Sequence, residues 1–119
     1  MLLADDDPIF AAIGSSTLRR RGCNVVVAGD GGIAFDALMQ DSFDVAVVDL
    51  SMPEVDGFRL IALVRSTSRT ARLPIIVVTV RDDAEAIEEA RRLGANLFLT
   101  KPVNWDRLHE QILSLVDAA

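Results

Sequence analysis

Six polar residues, spread from position 5 to position 101, carry the chemistry this chain can do. Asp5-Asp6-Asp7 follows a short apolar run near the amino terminus, Asp49 follows another at mid-chain, Thr79 closes a third, and Lys101, before Pro102, follows a fourth. Carboxylates gathered in one crevice repel one another unless a cation or shared protons compensate them. Oxygen donors alone, with no histidine or cysteine nearby in sequence, suit Mg²⁺, which keeps several waters and commonly shares its shell with a phosphate. A lysine ammonium beside those carboxylates is a counter-charge for an incoming phosphoryl group, and a threonine hydroxyl can donate to a phosphoryl oxygen. Asp49 stands apart from the triplet and is the candidate for a carboxylate that attacks phosphorus to form an acyl phosphate. Taken singly, each piece has a plainer role: the triplet as a solvated helix-capping run, Asp49 as a turn residue, Thr79 as an ordinary strand residue, Lys101 as a strand end. The weight lies in their coincidence at the same end of four runs that are themselves nearly free of charge.

Those residues can meet only if four strand ends lie side by side. The chain alternates short apolar runs with longer stretches that are apolar every three or four positions, the pattern of repeated β-α units on a parallel sheet. Strands are expected at 1–4, 25–28, 45–48, 75–78 and 97–99, mostly aliphatic without alternation, as strands buried on both faces read. Helices are expected at about 8–21, 32–40, 57–66, 83–93 and 105–116. Their stripes, Ile9/Ile13, Phe58/Ile61/Val64, Ile87/Ala90/Leu93 and Trp105/Leu108/Ile112/Leu115, are expected to face the sheet, with Trp105 anchoring the last helix on it. Asp7 before Pro8 reads as a helix start, Gly22 and Gly94 as helix ends, and Asn104 as the cap of the last helix. In an open parallel sheet the carboxyl ends share one edge, and ligands bind where neighbouring connections diverge.

Composition narrows the function. The 119 residues suit one domain, residues 1–119, and leave no room for a separate effector domain. Twelve basic against eighteen acidic residues, a net charge of −6, argue against a general nucleic-acid surface and against docking on anionic membranes. One cysteine, Cys23, makes neither an internal disulfide nor a cysteine-rich metal site. No apolar run approaches the roughly 20 residues of a membrane span, so a cytoplasmic location is expected. His109, the one histidine, is expected on the solvated side of the last helix, and Arg19-Arg20-Arg21 closes the first helix where cations favour its dipole.

The pieces Leu2-Leu3-Ala4-Asp5-Asp6-Asp7-Pro8, Val47-Val48-Asp49-Leu50-Ser51-Met52-Pro53 through Asp56-Gly57, Pro74-Ile75-Ile76-Val77-Val78-Thr79, and Gly94-Ala95 through Thr100-Lys101-Pro102 together resemble the receiver domain of bacterial two-component response regulators over essentially the whole chain. The resemblance implies a doubly wound, flavodoxin-like three-layer sandwich with five helices on a five-stranded parallel sheet of order 2-1-3-4-5. It implies that Asp49 accepts a phosphoryl group from a phosphohistidine on a sensor histidine kinase or histidine phosphotransfer protein. Asp6 would ligate Mg²⁺ (or Mn²⁺) directly with Asp49 and the Ser51 backbone carbonyl, and Asp5 through water, while Asp7 caps the helix. Thr79 and Lys101 would contact the phosphoryl oxygens, the Lys101–Pro102 bond would be cis, and Phe98 would be the switch aromatic that turns inward as Thr79 moves. Such a domain is a regulatory switch that catalyses only its own phosphorylation and dephosphorylation, controlling an output domain or partner through the face of the fourth helix, fifth strand and fifth helix.

Some positions depart from the usual pattern. Val80 stands where relatives carry Ala or Gly, and its bulk is expected to slow attack at the site. Ser51 and Arg81 occupy the two variable positions that tune dephosphorylation in relatives. The short first strand and the end just after the last helix lead to the expectation of a receiver excised from a larger protein, with an output domain beyond it or a receiver homodimer as alternatives. Three rivals share the architecture. A flavin or nucleotide binder needs phosphate-friendly amides where this chain has Asp5-Asp6-Asp7; an aspartyl phosphohydrolase usually asks for a second carboxylate at position 51, which is serine; a pseudo-receiver would not need the full set of Asp49, Thr79 and Lys101.

Overall fold

The computed structural model describes residues 1–118. Five strands, β1 (Leu2–Ala4), β2 (Val26–Ala28), β3 (Ala46–Val48), β4 (Ile75–Thr79) and β5 (Leu97–Thr100), alternate with five helices, α1 (Pro8–Arg20), α2 (Gly31–Gln40), α3 (Gly57–Ser66), α4 (Ala84–Leu93) and α5 (Trp105–Ala118). The sheet is parallel throughout, in the order β2-β1-β3-β4-β5. It is therefore the doubly wound, flavodoxin-like α/β sheet that the resemblance implies, built from the parallel β-α units that the sequence pattern leads one to expect. After β2 the chain crosses back over β1 to lay down β3, so the connections leaving β1 and β3 diverge to opposite faces.

Side-chain alternation along the strands divides the core in two. Leu2, Ala4, Ala28, Ala46, Val48, Ile75 and Val77 pack under α2, α3 and α4. Leu3, Val25, Val45, Val47, Ile76 and Val78 pack under α1 and α5. Because both faces of the central strands are covered, Leu2–Ala4, Ala46–Val48 and Ile75–Thr79 are buried throughout, which is why they read as unbroken apolar runs. The outer strand β2 differs: Val26 and Val27 are exposed, since an edge strand has a neighbour on one side only.

Two expected contacts are corrected. Ile9 and Ile13 do not face the sheet; they are 71% and 54% exposed, and α1 buries Ala11, Gly14, Ser15 and Leu18 instead. The inward face of α1 carries small residues at its middle, where the Trp105 indole of α5 lies on Gly14, and the larger isoleucines lie on the exposed face. Trp105 packs on α1: its ring centroid lies 4.8 Å from that of Phe10, and its indole covers Gly14, where an added Cβ would come within 2.3 Å of it. The helix starts follow the sequence. Asp7 accepts from the backbone N–H of Ile9 and Phe10 with Pro8 at the first position, and Asn104 accepts from those of Asp106 and Arg107.

The edge of the molecule opposite the aspartates is tied by Arg65, at the end of α3. Its guanidinium donates to the carbonyls of Gly94, Ala71 and Leu73 and to Asn96 Oδ1, while the same Asn96 oxygen accepts from the Ile75 N–H. Among the described residues no carboxylate pairs with it, and burial pulls its pKa below the usual arginine value. Arg65→Ala would leave several carbonyls short of a donor, and urea denaturation is expected to show a loss of about 2–4 kcal/mol.

Candidate functional site

The backbone ladder carries on past the strands and sets the candidate residues in one row. The Asp5 N–H donates to Ala28 O at 3.0 Å, the Asp49 N–H to Ala4 O at 2.9 Å, and the Lys101 N–H to Thr79 O at 2.8 Å. Residues far apart in sequence thus share the carboxyl edge of the sheet, at the point where the connections from β1 and β3 part. Gly57, at the start of α3, completes the wall behind Asp49: a Cβ there would lie 2.2 Å from the Asp49 carbonyl oxygen, so only glycine allows the helix this close.

Lys101 Nζ lies 2.9 Å from Asp5 Oδ2 and 3.2 Å from Asp49 Oδ2, with the lysine side chain 13% exposed. The other oxygens of both carboxylates are held by the backbone: Asp5 Oδ1 accepts from the Asp7 N–H at 2.8 Å and Asp49 Oδ1 from the Ser51 N–H at 3.3 Å. Burial pushes the Asp5 carboxyl above its ordinary range, helped by the charge of Asp49 and opposed by the hydrogen bonds from Lys101 and the Asp7 amide. Burial alone would lower the Lys101 ammonium, but the hydrogen bond to Asp5 and the charges of Asp49 and Asp5 carry it above the usual lysine value. Asp6 is exposed on the same loop, and carboxylate oxygens of Asp5, Asp6 and Asp49 lie within 4.8 Å of one another. Three carboxylates against one ammonium leave excess negative charge in a partly buried crevice. An all-oxygen cluster of this kind fits a hard divalent cation.

Around this centre Thr79 is fully buried, its hydroxyl accepting from the Arg81 N–H at 3.4 Å. Ser51 is exposed, and Val80 is 68% exposed on the connection that leaves β4. Arg81 is held to the side, donating to both oxygens of Asp83, the cap of α4, and lying over the Phe58 ring at 5.7 Å. Lys101–Pro102 is cis. Phe98 is half-buried against the core beneath α3 and α4, and with Ile87 and Arg91 it lines a cleft of about 280 Å³ between α4 and β5. One neighbour of the lysine was not singled out in sequence: the Phe10 ring, whose centroid is 4.0 Å from Lys101 Nζ. The helical row through Ala11, Gly14 and Leu18 was the signal that could have turned Phe10 inward; the more apolar Ile9 and Ile13 masked it.

An open, doubly wound parallel sheet with an acidic cluster and a lysine at its switch point defines the class. The chain belongs to the response regulator receiver domain family, which it matches over residues 1–113. Members of this family are the regulatory receiver domains of two-component signalling proteins. Among solved structures, the chain is similar to the chemotaxis protein CheY4 of Vibrio cholerae, at 31% identity and a TM-score of 0.90, covering 96% of this chain and 95% of that one. It is also similar to the receiver domain of the sensor histidine kinase PA1611 of Pseudomonas aeruginosa, at 25% identity and a TM-score of 0.90 over 98% and 95% of the two chains; that protein holds a magnesium ion in its active-site cleft. Protein PilH of Pseudomonas aeruginosa is 30% identical over 94% of this chain and 93% of its own length. The transcriptional regulatory protein RprY of Bacteroides fragilis is 31% identical over 98% of this chain. The chain spans about half the length of the first curated relatives it matches, 48% of RprY and 47% of TcrX of Mycobacterium tuberculosis. Among the described residues, no helix is long and apolar enough to cross a membrane.

A cation that binds the folded cluster and not the unfolded chain must stabilise the fold. At ten times its dissociation constant, Mg²⁺ is expected to raise the melting temperature by about 5 °C, read by circular dichroism, with most of the gain absent in Asp6→Asn.

Proposed function

We propose that this chain is a phospho-accepting switch. Asp49 takes a phosphoryl group from a phosphohistidine on a sensor histidine kinase or histidine phosphotransfer protein, and the modified domain changes conformation to control an output domain or partner. The observation that carries the reading is the position of the Lys101 ammonium between Asp5 and Asp49, with Asp6 on the same rim. In the transfer, an Asp49 oxygen forms the new P–O bond as the donor's P–N bond breaks, and the imidazole leaves with its proton. Lys101 then turns its N–H groups from carboxylate to phosphoryl oxygens, and Thr79 donates its hydroxyl to another. Asp6, Asp49 and the Ser51 carbonyl, with Asp5 through water, would hold Mg²⁺ (or Mn²⁺), which when bound supplies the charge that offsets the approaching oxygens.

The same residues account for the switch. Thr79 lies at the end of β4, whose Val78 pairs with Leu99 and whose Val77 pairs with Phe98 on β5. A move of the Thr79 hydroxyl toward the phosphoryl group vacates space along that pair of strands, into which Phe98 turns. Function then lies in a population shift between two packings of one domain, residues 1–119 forming the receiver unit. Ser51, Val80 and Arg81 control access to the phosphorylated site, and Val80 does so by bulk at its mouth.

Labelling with acetyl phosphate and Mg²⁺, followed by mass spectrometry, is expected to add one phosphoryl group to the parent and none at this site to Asp49→Asn; equal labelling of both would exclude Asp49 as the acceptor. Val80→Ala is expected to shorten the lifetime of the phosphorylated form, and an unchanged decay rate would remove the steric role.

A further inference from the structure

We propose that Phe10 is a positioning residue for Lys101, holding its ammonium at the acceptor through the face of its ring; this rests on the phospho-acceptor reading above. Lys101 Nζ has two carboxylate oxygens within hydrogen-bond range and the Phe10 ring centroid at 4.0 Å. An aromatic face attracts a cation through its quadrupole. Unlike a further carboxylate, it neither neutralises the ammonium nor competes as a strong hydrogen-bond acceptor. The lysine's charge and its donors therefore stay available to a phosphoryl group, while its flexible four-carbon stem is confined to the rotamers that reach Asp49.

The ring is itself fixed. Its centroid is 4.8 Å from that of Trp105, with the planes tilted by 48°, and the indole lies on Gly14, one turn along α1 from Phe10. Trp105 opens α5 only four residues after Lys101. The stack Lys101–Phe10–Trp105–Gly14 thus runs from the reactive edge into the seam between α1 and α5. Any shift of that seam moves the ring that holds the lysine, and the absence of a side chain at Gly14 is what lets the indole reach it.

The test compares rates of labelling by acetyl phosphate with Mg²⁺ in the parent, Phe10→Leu, Phe10→Met and Phe10→Tyr, each also in a Lys101→Met background. Two aliphatic variants are used so that loss of folding in one leaves the comparison standing. Both are expected to slow labelling by about threefold to tenfold, and Phe10→Tyr to restore it. In the Lys101→Met background neither should slow it further, because the group through which Phe10 acts is gone. A second readout needs no phosphoryl donor: the ε-methylene protons of Lys101 should be shifted upfield by the ring current in the parent and in Phe10→Tyr, and not in the aliphatic variants. A labelled parent with unchanged rates in both aliphatic variants, or the same fold loss with and without Lys101, overturns the role of Phe10 alone. A parent that takes no label overturns the phospho-acceptor reading and this proposal with it.

Discussion

One ammonium faces three carboxylates at the carboxyl edge of the sheet, and the arrangement of the site follows from that imbalance. Lys101 touches Asp5 and Asp49, both buried, while Asp6 stays on the exposed rim within reach of the same centre. Full compensation by a second internal cation would give a closed ion-pair network with no use for a ligand. A single lysine compensates in part, so the crevice keeps an attraction for a divalent cation together with a donor for the oxygens that such a cation accompanies. Burial opposes both charges, raising the Asp5 carboxyl and pulling on the Lys101 ammonium, and for the lysine the hydrogen bond to Asp5 and the charges of Asp49 and Asp5 outweigh it.

The scaffold enforces this pairing through the backbone. Three N–H groups at or just beyond the strand ends, those of Asp5, Asp49 and Lys101, continue the ladder onto the neighbouring strands, so the side chains inherit the spacing of a parallel sheet. The acidic cluster and the lysine are therefore built on strand ends, with Ser51, Val80 and Arg81 on the connections that follow. Arg65 and Asn96 tie the far end of the same β4 and β5 strands, leaving their carboxyl ends as the part nearest to the reacting groups.

Much of this was legible in the residues. The apolar runs marked the strands because both faces of the central ones are covered, and the helix caps at Asp7 and Asn104 marked where helices begin because their side chains answer unpaired N–H groups. Asp49 and Lys101 stood out as charges at the ends of uncharged strands. What misled was the assumption that the most apolar stripe of a helix is the buried one. Helix α1 turns Ala11, Gly14 and Ser15 inside and leaves Ile9 and Ile13 outside, and at Gly14 the indole of Trp105 leaves no room for a larger side chain. Trp105, read as an anchor on the sheet, packs on α1 against Gly14 and Phe10.

The sequence by itself determined the α/β alternation, the chemical types gathered at one edge, and the scarcity of compensating cations there, because these depend on local periodicity and on which residues follow each strand. Only the tertiary structure decided that Lys101 lies between Asp5 and Asp49 and that Phe10 backs it. Those contacts join residues 52 and more positions apart, or faces of helices whose closeness depends on side-chain volume, and no local pattern encodes such distances.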